Sequence, residues 1–133
     1  MEEKRVPRWV RGWFWGAAIY NVLWGAWVIF FPGMIFELCG MDLINYPGVW
    51  QGVGMIVLVY ALGYYYIGKD PERYGNFVWV GLLGKTFGPL GGVMAFTRGE
   101  FPLAFAWVFV FNDLIWWPAF WKFALTYARK PLE

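Results

Sequence analysis

Four stretches of this 133-residue chain carry almost no charge: residues 12–36 and 43–68 carry none, residues 74–97 carry only Lys85, and residues 101–121 carry only Asp113. A helix rising 1.5 Å per residue needs about 20 residues to cross a hydrocarbon layer about 30 Å thick, and each stretch is long enough. The chain is therefore expected to be an all-α integral membrane protein, an up-down-up-down four-helix bundle. The remaining residues are too few for a separate soluble domain, so residues 1–133 read as one transmembrane domain, with helices near 9–31, 48–67, 76–96 and 102–127. Charged residues make up only 15% of the chain, against 60% hydrophobic.

Residue types that are missing exclude several chemistries. The chain has no His, no Ser and a single Cys, Cys39. A Ser or Cys nucleophile with a His base cannot be assembled, and the imidazole and thiolate sets of most transition-metal sites are lacking. No metal is expected, no cofactor is assigned with certainty, and no catalytic residue is named.

Basic residues set the topology. Lys4, Arg5, Arg8 and Arg11 precede the first span, Lys69 and Arg73 lie between the second and third, and Lys122, Arg129 and Lys130 follow the fourth. The opposite side holds only Arg98, so the positive-inside rule puts both termini in the cytoplasm. This accounts for the net charge of +2 without any nucleic-acid partner. The first apolar run is too long and too rich in Trp for a cleaved signal peptide, and it reads as a retained helix closed by Phe31 and Pro32. The outer connection, residues 32–47, reads as a short amphipathic turn at the interface, and residues 97–100 as a tight outer turn. Pro118 is expected to bend the fourth helix.

Aligning the spans by their centres brings Asn21, Tyr60, Lys85, Asn112 and Asp113 to one polar layer. A charge at that depth costs roughly 2.5 to 3.5 kcal/mol on insertion scales, so Lys85 and Asp113 should face the interior and pair. Such a pair fixes helix register or forms a site for the polar head of a lipid-like ligand, and the residues leave both readings open. Pro89 frees the Lys85 carbonyl, and Gly84, Gly88 and Gly92 form a ridge for close approach. Gly12 with Gly16, and Gly48 with Gly52, are weaker packing signals. Of the 11 Trp residues, Trp9, Trp13, Trp15, Trp50, Trp117 and Trp121 fall near helix ends, where indoles favour the headgroup region. Trp24, Trp27, Trp79, Trp107 and Trp116 lie deeper and are candidates for an apolar cavity wall. Gln51 reads as a snorkelling residue or the lining of an entrance, and Cys39 as a small interfacial hydrophobe.

The order of features, with Arg11 entering helix one, Gly25 before Phe31-Pro32, Tyr46-Pro47 followed by Gln51 and Gly54, Asp70-Pro71 with Arg73, Gly84-Lys85 followed by Gly88-Pro89, and Asn112-Asp113-Leu114-Ile115-Trp116-Trp117-Pro118, resembles the DoxX-like group of small bacterial four-helix membrane proteins over nearly the whole chain. The resemblance implies a small inner-membrane accessory protein, some relatives being associated with quinone-linked sulfur or thiol oxidation. It supplies no catalytic residue, and the lone Cys39 argues against a dithiol mechanism.

Three functions compete. The first is binding of an apolar lipid-, isoprenoid- or quinone-like molecule, with aromatic walls and the Lys85/Asp113 layer at its polar end. The second is a structural accessory subunit whose Gly faces dock a membrane-protein partner or a second copy. The third is a small proton-coupled transporter, disfavoured because helix one offers only Asn21.

Overall fold

The computed structural model describes residues 5–128, so Lys4, Arg129 and Lys130 of the topology argument lie outside the described residues. The described chain is an all-α four-helix membrane bundle, its four spans long and apolar enough to cross a membrane at Arg8–Phe30, Pro47–Lys69, Phe77–Thr97 and Leu103–Thr126. It is a multi-pass membrane protein.

The first span is helix α1 (Arg8–Phe30), entered after the extended Pro7 and capped by the Phe31 N–H on Trp27 O. Pro32 then stops it, having no N–H to continue the ladder. Helix α2 (Met34–Leu38) is the amphipathic turn expected from the sequence. It buries Ile35 and Phe36 and leaves Glu37 and Leu38 outside. It ends where Gly40 takes φ 66°, Met41 N–H returns to Phe36 O at 2.8 Å and Gly40 N–H to Glu37 O at 3.1 Å. That pair of bonds is a Schellman cap, which needs the left-handed conformation glycine adopts at no steric cost.

The second span, α3 (Pro47–Lys69), starts with Pro at its first position, where a missing N–H costs nothing. Its C-terminal end is covered by Arg11, which donates to Lys69 O at 2.7 Å. Asp70 then caps the short α4 (Pro71–Tyr74) by accepting from Arg73 N–H at 3.1 Å. The third span, α5 (Phe77–Thr97), continues through Pro89 and closes in a second Schellman cap at Gly99, φ 73°.

The fourth span differs from its expected form. A continuous helix over residues 102–127 is replaced by a 3₁₀ turn (Leu103–Phe105), helix α6 (Ala106–Phe109), a π-helical turn (Val110–Leu114) and helix α7 (Trp117–Thr126). Pro118 has no N–H for the Leu114 carbonyl, and the break falls immediately before it.

Two apolar clusters hold the spans together. One joins Val10, Phe14, Tyr64, Ile67, Val78, Phe120 and Phe123, with Phe14 stacked on Phe120 at 4.6 Å between centroids. The other, toward α2, joins Trp24, Val28, Ile35, Phe36, Cys39, Phe105 and Val108. Spans one and two touch through glycine backbone: a Cβ on Gly25 would fall 2.6 Å from Gly54 O, and one on Gly54 would fall 3.0 Å from Gly25 O. Among the described residues the expected Gly12, Gly48 and Gly52 contacts are not made, since a Cβ on any of them would meet open space.

Candidate functional site: a cavity at the polar layer

Between the clusters lies a cavity of about 320 Å³. Its walls are Asn21 and Trp24 from α1, Trp50, Val57, Tyr60 and Tyr64 from α3, Gly81, Gly84, Lys85 and Gly88 from α5, and Phe105, Phe109, Asn112 and Asp113 from the fourth span. Val53, Ile56, Tyr60 and Gly84, which also line it, are exposed. The cavity therefore opens sideways, between the second and third spans. All five residues assigned to the polar layer line this one space.

The backbone break in the fourth span organises the polar groups. Ile115 N–H reaches back five residues to Val110 O at 3.0 Å, and the next donor, Trp116 N–H, reaches back only three, to Asp113 O at 3.2 Å. The carbonyls of Phe111 and Asn112 are skipped, and an unpaired carbonyl in hydrocarbon is costly. Side chains take both. Trp116 Nε1 donates to Phe111 O at 2.8 Å, and Lys85 Nζ donates to Asn112 O at 2.6 Å.

This corrects the expected ion pair. No nitrogen–oxygen approach within 4.0 Å joins Lys85 to Asp113, and the ion pair found among the described residues is Arg98 with Glu100, at the exposed turn after α5. Lys85 is only 4% exposed. Besides the Asn112 carbonyl it has the ring faces of Tyr64 and Phe120, 5.5 and 5.4 Å from its Nζ, which attract a cation through their quadrupoles. The Asp113 carboxylate lies against Gly88, where an added Cβ would come within 2.9 Å of Oδ2. Gly88 thus leaves room for a carboxylate one helical turn from Lys85, and Gly92 does the same for the Phe109 ring.

The other layer residues are distributed as follows. Asn21, 5% exposed, donates to Val57 O at 3.1 Å. Asn112 Oδ1 accepts from the Tyr20 hydroxyl, a partner the depth argument missed although a tyrosine beside Asn21 was the available signal. Tyr60 stands at the mouth and forms no hydrogen bond among the described residues. Tyr64 was also missed; its ring lies on Gly81 and over Lys85.

Of the five tryptophans expected to wall a cavity, the structure places one there, Trp24. Trp27 donates to Met34 Sδ and stacks near Trp107, Trp79 packs against Trp121, Trp107 donates to Cys39 Sγ at 3.3 Å, and Trp116 serves Phe111 O. Trp50, assigned to the interface by its place near a helix end, instead lines the cavity, its ring 5.7 Å from that of Trp24. The buried indole N–H groups of Trp24 and Trp50 have no hydrogen-bond acceptor among the described residues. Cys39 is buried against the protein, and Gln51 caps α1 by donating to Ile29 O at 2.8 Å. Lys85 also borders a smaller cleft of about 230 Å³ on the other side of α5, floored by Thr86, Pro89, Leu114 and Trp117.

The described residues contain no group of three or more Cys, Asp or Glu placed to hold a metal ion. The arrangement is an apolar, aromatic chamber with one cationic and one anionic group on its wall and a lateral opening, which suits a ligand that arrives through the bilayer. Set against known protein families, curated proteins and solved structures, the chain matches none of them.

Proposed function

We propose that this protein binds an apolar lipid-, isoprenoid- or quinone-like molecule and serves as an accessory to a membrane redox system. The reading includes placement in a bacterial inner membrane with both termini cytoplasmic, as the basic residues around Arg11, Lys69 and Lys122 favour, and kinship with the DoxX-like proteins. One observation carries the binding function: the cavity of about 320 Å³ that opens between spans two and three and includes both Lys85 and Asp113. A pair serving only as a fastener between helices needs no space beside it and no side opening.

The first test is native mass spectrometry of the protein extracted in mild detergent, with an absorption spectrum of the same sample. A stoichiometric apolar molecule supports the reading and identifies its class. A protein that co-purifies while the cavity stays empty favours a structural subunit instead, a second reading supported by Gly48 and Gly52, whose Cβ positions face open space on the outside of α3. Small residues on a lipid-facing helix surface permit another helix to approach closely.

A further inference from the structure

The polar layer has unused hydrogen-bonding capacity of two opposite kinds. A lysine ammonium has three N–H donors, and among the described residues Lys85 Nζ places one on a hydrogen-bond acceptor, Asn112 O. A carboxylate only accepts, and among the described residues no donor reaches the Asp113 side chain. Both groups border the same cavity. Gly88 sets the carboxylate within one turn of Lys85 on the same side of α5.

The chemistry of the ligand head is narrowed by what each class of head leaves unmatched, and a hydroxyl is the simplest group that leaves nothing. A carboxylate or phosphate head would lie beside Asp113, and an ammonium head beside Lys85, and juxtaposed like charges are costly away from water. A ketone or an ether accepts from Lys85 but leaves Asp113 without a donor. A hydroxyl both donates and accepts at one oxygen, so a single uncharged group matches both. The remaining wall, toward Trp24, Trp50 and Phe105, is aromatic and suits a hydrocarbon body. We propose that the cavity selects an apolar molecule headed by a hydroxyl, whose oxygen accepts from Lys85 Nζ and whose O–H donates to the Asp113 carboxylate. The proposal rests on the binding reading above and sharpens it: of a quinone and its reduced hydroquinone, only the second carries the matching group.

Three brominated probes test it, because bromine quenches nearby tryptophan fluorescence and Trp24 and Trp50 line the cavity. The protein in lipid nanodiscs is titrated with 10-bromodecan-1-ol, its methyl ether and 1-bromodecane, compared at equal concentration in the membrane. Gly84→Leu supplies the background, since Gly84 lies at the mouth, an added Cβ meets only Tyr60 at 3.5 Å, and the rest of the leucine fills the opening. The expected result is quenching by the alcohol at roughly tenfold lower concentration than by the ether or the alkane, the effect of one hydrogen bond left unmade. That preference should vanish in Asp113→Leu. Equal quenching by all three probes, abolished by Gly84→Leu, would overturn the hydroxyl assignment and leave the binding reading standing. Quenching that Gly84→Leu leaves unchanged for every probe would overturn both. The comparison of probes on the unmodified protein decides the matter even if Asp113→Leu fails to fold.

Discussion

Where α1 crosses α3, Gly25 and Gly54 set backbone against backbone, and no side chain larger than a hydrogen atom fits between them. Where α5 meets the fourth span, glycines face side chains instead, Gly88 against the Asp113 carboxylate and Gly92 against the Phe109 ring, and the fourth span breaks its hydrogen-bond ladder at the same level. Both seams use small residues, but to different ends. The first excludes everything and makes a rigid pair. The second admits polar groups and tolerates an irregular backbone, which within a membrane survives only where it is buried in protein or lines a cavity. That second seam forms one wall of the chamber, which opens between α3 and α5, and π turns inside helices recur at functional sites.

The largest expected effect breaks the first seam. Gly25→Val should destabilise the protein by about 3 kcal/mol or more, because its Cβ would meet the Gly54 carbonyl, which is backbone and cannot rotate away. Gly63→Val, whose Cβ meets open space, is the control and should change stability by less than about 0.5 kcal/mol. Equilibrium unfolding in mixed detergent micelles reads both, and equal losses would dissolve the distinction between the seams.

Next in size is Lys85→Met. It leaves the Asn112 carbonyl unpaired in a membrane interior, at a cost of about 1 to 3 kcal/mol, measured by the same unfolding assay. The partner matters here. If Lys85 were fastened to Asp113, adding Asp113→Leu would restore the lost stability. Because Lys85 holds a backbone carbonyl of the π turn, the double variant should recover less than half, and a full recovery would reinstate the ion pair.

Depth and charge were legible in the sequence for a physical reason. A lysine and an aspartate each centred in an apolar run have few low-cost places to go, and a shared interior layer is one of them. The four spans and the α2 turn followed from composition and from Pro32, Pro47 and Pro71 in the same way. What Lys85 binds was not legible, because its acceptor exists only where the ladder shifts register between Val110 and Trp116, and that shift depends on packing around Pro118. Tryptophan position was a poor guide for a related reason. Distance from the helix end places an indole in depth but not around the helix, so Trp50 was assigned to the headgroups while its ring turns inward beside Trp24, and Trp107 and Trp116 hold Cys39 and Phe111 instead of facing the chamber.

A smaller effect tests how the two seams are joined. The Tyr20 hydroxyl on Asn112 Oδ1 ties α1 to the π turn. Tyr20→Phe keeps the ring, including its contact with Trp116 at 5.7 Å, and removes only the donor. A loss of about 1 kcal/mol is expected. Hydrogen exchange should show the opening confined to the fourth span, with α1 and α3 as protected as before, whereas loosening of all four spans would show that the two seams do not behave as separate units.

The smallest effect belongs to the Gln51 end of the first seam. Gln51 Nε2 donates to Ile29 O at 2.8 Å, one of the last four carbonyls of α1 and so without a partner further along the helix. Gln51→Leu removes that donor, but a carbonyl so near the helix end can find interfacial water, which limits the expected loss to about 0.5 to 1 kcal/mol in the unfolding assay. The Gly25–Gly54 crossing lies deeper and should hold the pair together without this clamp, so affinity for a cavity ligand should be unchanged. A fall in affinity would mean that the rigid seam sets the shape of the chamber from its Gln51 end, and that Gln51, not the glycine crossing alone, keeps Trp50 turned inward.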